Sequence, residues 1–210
     1  MAVVTLSASY AAGGSEIGAR VARRLGMRFI DRAIPVDVAR GLGISVDEAE
    51  AVAQNAPSRL WQLFAGISSA GYGMVVPDAD QRATERQLIA RTETRIREEA
   101  AAGNCLVLGR AAAVVLADAA DTLHVRLDGA PEGRVQAAMR QHGLDHDSAR
   151  AAQKENDKVR TGYVKHFYHA DSASPELYDL VLDTVRLGWD RAEELILTAA
   201  RLTDVDPQGS

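Results

Sequence analysis

A glycine-containing loop near the N-terminus carries the residues best suited to binding an anion. The segment A-S-Y-A-A-G-G-S-E follows a short apolar run at residues 3–7 and precedes a helical pattern at residues 15–25. The backbone N–H groups of such a turn, with the positive end of the following helix dipole, attract phosphate. The pattern predicts a phosphate-binding loop, and a tight turn without a ligand is the alternative.

The loop keeps part of the G-x-x-x-x-G-K-[ST] pattern of phosphate loops. Gly13 and Ser15 stand at the second glycine and at the hydroxyl position, whereas Ala8 replaces the first glycine and Gly14 replaces the lysine. That lysine normally supplies a positive charge to the transferred phosphoryl group. If the loop serves phosphoryl transfer, arginines elsewhere must offset this charge.

Two further segments place cations where an anion could bind. Arg110 follows the buried-strand pattern C-L-V-L-G, and open α/β sheets bind their ligands at the carboxyl ends of the strands. Asp157 and Arg160 lie three positions apart, on one face of a predicted helix that also carries Lys154, Lys158 and Lys165. These segments predict phosphate contacts; a strand-capping arginine and a solvated helix face are the alternatives.

Together these segments resemble one branch of the nucleotide kinases. A-A-G-G-S-E-I-G-A-R-V-A-R-R-L-G is similar to the lysine-less loop and helix, G-S-G-G-R-E-I-G-x-x-L-A-x-x-L-G, of the cytidylate-kinase-like P-loop nucleoside monophosphate kinases. The V-L-G-R motif at Arg110 and the D-x-x-R pair at Asp157 match further motifs of that branch. The resemblance covers residues 4–196 and is weakest at 40–82, where acceptor specificity lies in such kinases.

The resemblance implies ATP and Mg²⁺ as cofactors and a nucleoside monophosphate, such as CMP or dCMP, or a related small phosphorylated molecule as acceptor. It implies that the loop holds the ATP phosphates, that Ser15 lies near the metal, and that arginines close over the transferred group. The implied ATP-binding residues are Ala12, Gly13, Gly14, Ser15 and Glu16, the implied acceptor-binding residues are Asp31, Arg110, Asp157 and Arg160, and the implied catalytic residues are Arg134, Lys158 and Arg160.

The chain departs from the cytidylate kinases proper at three positions. Leu108 and Ala111 stand where those enzymes flank the Gly-Arg with aspartates, and Gln153 stands at an arginine position. The missing acid beside Arg110, together with the missing loop lysine at Gly14 and the missing first glycine at Ala8, favours a nucleotide-binding regulatory module that has lost catalysis as the alternative function. A structural protein that binds no nucleotide is a third hypothesis. A dinucleotide loop with Asp31 on the ribose is a fourth, which the G-G-x-x-x-G spacing disfavours.

Composition limits the other functions. The net charge of −5 over 210 residues argues against an overall electrostatic grip on a nucleic-acid polymer. Cys105 is the only cysteine and lies in an apolar run, which predicts a buried thiol in a reducing compartment. Without a signal-peptide pattern or an apolar run of about 18 residues, the sequence predicts a cytoplasmic protein without a membrane partner; it says nothing about oligomeric state.

The pairs His142 and His146, and His166 and His169, are interpreted as packing or surface residues rather than metal ligands.

Alternating apolar runs and helical patterns predict an α/β fold: a three-layer parallel sheet with helices on both faces, of the P-loop nucleoside monophosphate kinase type, with lid and acceptor-binding helical insertions. The predicted strands are 3–7, one ending at 29–30, 105–108, 120–128 and 178–183, and the predicted helices are 15–25, one starting at Ser45, 80–102, 132–141, 147–167 and 190–202. We expect a single domain over 1–202, with an acceptor-binding helical region at 31–104, a lid region at 130–170 and a flexible tail at 203–210.

Overall fold

The predicted parallel sheet is confirmed by a computed structural model, which describes residues 2–31 and 79–203. Every pair of neighbouring strands in the sheet is parallel. The strands are β1 Val3–Ala8, β2 Arg28–Ile30, β3 Cys105–Leu108, β4 Thr122–Asp128 and β5 Leu180–Asp183. The order across the sheet is β2-β3-β1-β4-β5, which puts β1 at the centre.

Helices connect the strands and cover the sheet. In the described ranges these are α1 Gly14–Leu25, α2 Ala79–Ala101, α3 Ala112–Val115, α4 Pro131–His142, α5 His146–Tyr168, α6 Thr184–Leu187 and α7 Trp189–Thr203. A short 3₁₀ turn, Pro175–Leu177, precedes β5. No helix in the described ranges is both long enough and apolar enough to cross a bilayer.

Both faces of the sheet are buried at its centre, where β1 and β3 are apolar on both sides. One face packs against α1 and α7, and its fully buried side chains include Leu6, Leu106 and Leu127 from strands and Ile17 and Ile196 from helices. The other face packs against α2 and α3 and contains Val3, Cys105, Val107, Ile96 and Ala112. The predicted burial of the Cys105 thiol is confirmed, and this burial raises its pKa.

The element boundaries differ from the predictions by one or two residues at most ends. β4 begins at Thr122 rather than at residue 120, and β5 begins at Leu180 rather than at residue 178. α3 and α6 were not predicted, because four residues are too few to show a helical period. The helix expected from Ser45 lies outside the described residues. Thr203, expected in the tail, is the last residue of α7.

Candidate active site

The loop predicted to bind phosphate lies at the carboxyl end of the central strand. Because β1 lies between β3 and β4, the chain crosses from one side of β1 to the other, and parallel α/β sheets bind ligands at such a point. The loop runs from Ala8, the last residue of β1, to Gly13, and within it Ala11 and Gly13 have φ of 59° and 82°. Ala12 between them is fully buried, and its N–H donates to the Ser9 carbonyl at 3.1 Å.

The N–H groups at the start of α1 are free to bind an anion. The first helical hydrogen bond runs from the Ile17 N–H to the Gly13 carbonyl at 2.9 Å. Among the described residues, the N–H groups of Gly13, Gly14, Ser15 and Glu16 have no hydrogen-bond partner. Unpaired N–H groups at a helix start, together with the helix dipole, are suited to a phosphate chain. The Ser15 side chain is exposed, while the Glu16 carboxylate accepts from Arg20 at 3.0 Å.

Side chains from distant elements hold the carbonyl groups of the same loop. The Arg134 guanidinium donates to the Tyr10 carbonyl at 3.3 Å, and the Thr184 hydroxyl donates to the Ala12 carbonyl at 2.9 Å. The Ala8 and Ala11 carbonyls accept from Arg160 and Gln141. These side chains fix the loop backbone just before the unpaired N–H groups of Gly13 and Gly14.

Arg134 and Asp157 join the predicted lid region to the loop. Arg134 is 6% exposed, and its Nη1 donates to Asp157 Oδ2 at 2.7 Å. Its Nε donates to the Gly129 carbonyl at 3.0 Å. Asp157 Oδ1 in turn accepts the N–H of Tyr10 at 3.1 Å. Two residues predicted from the lid motifs therefore contact the phosphate loop directly and each other.

A polar cluster at the end of β4 was not predicted. Arg126 donates to Asp128 Oδ2 at 2.8 Å and to the Ser9 hydroxyl at 3.2 Å, and its guanidinium lies 5.8 Å from the centre of the Tyr178 ring. Burial raises the pKa of Asp128, but hydrogen bonds from Ser9 and Arg126 outweigh it and lower the pKa overall. The sequence signal was the charged pair Arg126 and Asp128 on alternate positions at the carboxyl end of an otherwise apolar strand.

Arg110 lies where the V-L-G-R motif predicted, at the carboxyl end of β3 beside β1. The N–H of Gly109 donates to the Leu6 carbonyl at 2.8 Å. Gly109, Arg110 and Ala111 have φ of 77°, 56° and 54° in succession. A residue with a side chain held in this region costs about 1 kcal/mol or more, and such strain clusters at functional sites. Arg110 is close enough to α5 for its charge to lower the pKa of Tyr163, against a larger rise from burial.

The remaining predicted residues lie on α5 and at the end of β2. Lys158 is exposed on α5, as are Lys154 and Lys165. Asp31 directly follows β2 at the carboxyl edge of the sheet. His146 lies 3.0 Å from Glu132, and no group of three His, Cys, Asp or Glu residues in the described ranges could hold a metal ion.

The site fits ATP phosphates better than a metal bound by protein groups alone. The unpaired N–H groups of Gly13 to Glu16 suit the phosphates, and the exposed Ser15 hydroxyl lies in the first turn of α1. Mg²⁺ characteristically takes its ligands from substrate phosphates and one or two protein groups. Ser15 would hold the metal together with those phosphates, and Asp128 is a nearby carboxylate through its bond to the Ser9 hydroxyl.

The sheet order, with the loop predicted to bind phosphate after the central strand, defines the class of P-loop kinase folds. The chain belongs to the cytidylate kinase-like family, whose model matches residues 3–186. A cytidylate kinase of Methanopyrus kandleri is 31% identical over 131 residues, and the match covers 59% of this chain and 63% of that relative. A cytidylate kinase of Ignicoccus hospitalis is 24% identical over 197 residues, covering 93% of this chain and 97% of that one.

A solved structure supports the fold independently. The crystal structure of an uncharacterized protein from Eubacterium ventriosum superposes with a TM-score of 0.67, covering 96% of this chain and 99% of that chain at 14% identity. This superposition supports the fold alone, while the family match supplies the likeness to nucleotide kinases.

Proposed function

We propose that the protein transfers the γ-phosphoryl group of ATP to a nucleoside monophosphate, with CMP or dCMP as the first candidates, and that it works in the cytoplasm. The observation that carries the proposal is the loop between β1 and α1. Its carbonyls are held by Arg134, Arg160 and Thr184. The N–H groups where it enters α1, those of Gly13 to Glu16, have no hydrogen-bond partner among the described residues. Membership of the cytidylate kinase-like family supports a nucleotide as the ligand.

Phosphoryl transfer needs position and charge rather than a protein nucleophile. In the proposed reaction an acceptor phosphate oxygen attacks the γ-phosphorus, a new P–O bond forms, and the bond to the β-phosphate oxygen breaks, which leaves ADP. The backbone N–H groups of the loop hold the donor phosphates. Arg110, at the end of β3, holds the acceptor phosphate, and Asp31, Asp157 and Arg160 complete the acceptor side.

Arginines and Lys158 take the place of the absent loop lysine in this proposal. The Nε of Arg134 donates to the Gly129 carbonyl, and its Nη1 donates to the Tyr10 carbonyl and to the Asp157 carboxylate. Its Nη2 has no hydrogen-bond partner among the described residues. We assign this Nη2 to the charge that develops on the transferred group, with Arg160 and Lys158 at its margin. Ser15 would hold Mg²⁺, which would supply positive charge to offset part of the charge on the phosphates.

A nucleotide-kinase assay with a matched pair of variants tests the proposal. Purified protein with ATP and Mg²⁺ should form ADP only when a monophosphate acceptor is added, and the panel should include CMP, dCMP, UMP, AMP and GMP. Arg110→Ala should raise the KM for the acceptor at least about tenfold, the equivalent of one charge-assisted contact, while the KM for ATP stays unchanged. Arg23→Ala, which removes an exposed arginine of α1, should change neither KM.

Two results would contradict the proposal in different ways. If ATP binds but no acceptor gives ADP, the loop is a nucleotide site without catalysis, and the regulatory-module alternative replaces the kinase. If Arg110→Ala leaves acceptor affinity unchanged while transfer persists, the acceptor phosphate is held elsewhere.

A further inference from the structure

The indole of Trp189, the first residue of α7, lies directly against the phosphate loop. A Cβ added to Gly13 would lie 2.7 Å from both Cε2 and Nε1 of this indole, and 3.2 Å from Cδ1 of Ile17. Real Cβ atoms essentially never approach other atoms to 2.7 Å, so the indole takes the space that a side chain at position 13 would need. Gly13 also has a φ of 82°, which side-chain-bearing residues rarely adopt.

The chain segment that carries Trp189 supports the loop at a second point. Thr184, five residues earlier, donates its hydroxyl to the Ala12 carbonyl at 2.9 Å and lies 3.2 Å from the Asp128 carbonyl. Ala12 and Gly13 are thus both fixed by the segment that follows β5. The unpaired N–H groups of Gly13 and Gly14 come directly after these contacts, so their direction depends on where Gly13 is held.

We propose that Trp189 is a positioning residue of the phosphate site and acts through Gly13. By filling the side-chain space at position 13, the indole keeps the backbone in the left-handed conformation that points successive N–H groups at one anion. The ligand it serves is a polyphosphate chain, whichever base is attached. This inference rests on the proposed function, because it assumes that the loop binds the phosphates of a nucleotide.

Core packing alone would not give Trp189 this role. The buried residues of α7 that fill the core, Ala192, Ile196, Leu197 and Ala200, lie further along the helix, whereas Trp189 packs at the margin of the same cluster and is partly exposed. If Trp189 only completed the core, its removal would lower stability and leave phosphate affinity unchanged. A positioning role requires that affinity falls even under conditions where the variant is fully folded.

Calorimetric titration with ATP and with inorganic tripolyphosphate separates these roles. Trp189→Ala should weaken the binding of both ligands by about tenfold, the equivalent of losing one backbone hydrogen bond to a charged group. Trp189→Phe keeps an aromatic ring in the same space and should therefore weaken the binding of both ligands less than Trp189→Ala does. Leu187→Ala removes another partly buried side chain from the same segment and core cluster, and it should leave both affinities unchanged.

The fluorescence of Trp189 gives a second test, because a purely core-packing role predicts no change in its emission when the anion binds. The chain has two tryptophans, so Trp61→Phe leaves Trp189 as the sole indole emitter. Addition of tripolyphosphate to this variant should shift the emission maximum or intensity of Trp189, because the anion binds beside the indole. This measurement uses the intact Trp189 side chain and therefore does not depend on the folding of a Trp189 variant.

Each contrary outcome has a separate meaning. Unchanged tripolyphosphate and ATP affinity in Trp189→Ala overturns the positioning role while the proposed function stands. A loss confined to ATP also overturns it, because the indole would then contact the base rather than position the loop. If the wild-type protein binds neither ligand, the proposed function itself fails, and this inference fails with it.

Discussion

Arg134 links the loop, the end of β4 and α5 through one guanidinium group. It is almost fully buried, and its partners are two backbone carbonyls, those of Gly129 and Tyr10, and the Asp157 carboxylate. Asp128 Oδ1 lies 3.6 Å from its Nε. A lysine could not reproduce this set, because only the planar fork of arginine reaches several oxygens at once. Arg134 therefore contributes to the folded loop as well as to the proposed chemistry.

Arg134→Ala should lower the free energy of unfolding by about 3 kcal/mol, because Asp157 and two carbonyls lose their donor. This loss of free energy is at the low end for buried ion pairs, because the Asp157 side chain is 31% exposed and water can hydrate its carboxylate in part. Urea unfolding followed by circular dichroism measures the change. Arg23→Ala, at an exposed position of α1, is the control and should change it by less than about 0.5 kcal/mol. A loss below 1 kcal/mol for Arg134→Ala would contradict this account.

Residue types and spacing predicted part of the site. Gly13, Arg110, Arg134 and Asp157 were recognised by their motifs, and the structure places each of them at the carboxyl edge of the sheet or in contact with the loop. Trp189 could not be predicted, because its contact with Gly13 joins residues far apart in the chain, and a tryptophan opening a helix suggests only packing. The local sequence also gave no sign that Arg160 would bind a loop carbonyl.

α5 combines two tasks along its length. Asp157 and Arg160 contact the phosphate loop, while the aromatic residues at its end pack together, with the Tyr163 ring 5.2 Å from Phe167 and 6.0 Å from Tyr168. The Tyr168 hydroxyl is buried close to Tyr163 and Glu93, but it forms no hydrogen bond of ordinary geometry in the described ranges. Burial is the main reason that its pKa is raised, with Tyr163 and then Glu93 of α2 adding to the effect.

Tyr168→Phe should not destabilise the protein, and Tyr178→Phe should. The first substitution removes a buried hydroxyl that makes no hydrogen bond of ordinary geometry, so the free energy of unfolding should stay unchanged or rise. The second removes a hydroxyl that donates to the Ser172 carbonyl at 2.9 Å, and it should cost about 1 kcal/mol. Urea unfolding of both variants gives the comparison. A clear loss for Tyr168→Phe would show that its hydroxyl has a partner in solution.

The whole-molecule architecture was more predictable than its connections. Long periodic segments such as α2, α5 and α7, and apolar β3, were recognised because their signals extend over many residues or have no polar interruption. The order β2-β3-β1-β4-β5 follows from how strands pair across the chain, which local patterns do not specify. α3 and α6 turn the chain in four residues each and carry no period. The family resemblance, confirmed by the match over 3–186, predicted the P-loop kinase type of fold, which periodicity alone does not indicate.

A buried histidine in the middle of the sheet couples the stability of the whole domain to pH. His124 of β4 is 9% exposed, and its Nδ1 lies 2.7 Å from the Thr5 hydroxyl of the neighbouring β1. Burial lowers its pKa, although the Asp179 carboxylate and the Leu116 carbonyl oppose the shift. The folded state therefore keeps this imidazole neutral at a pH where the unfolded chain already binds a proton.

The free energy of unfolding should consequently fall as the pH drops below about 6.5, the ordinary histidine pKa, until the lower folded pKa is reached. The slope from this one proton is at most about 1.4 kcal/mol per pH unit. His146, which is exposed and has a raised pKa from Glu132 and Asp147, acts in the opposite sense, because its contribution is present at low pH and is lost as the pH rises. Urea unfolding between pH 5 and 7.5 measures how the free energy of unfolding rises with pH. Compared with the unsubstituted protein, this rise should be shallower in His124→Gln and steeper in His146→Gln. An unchanged slope in His124→Gln would mean that this imidazole is protonated in the folded sheet as readily as in the unfolded chain.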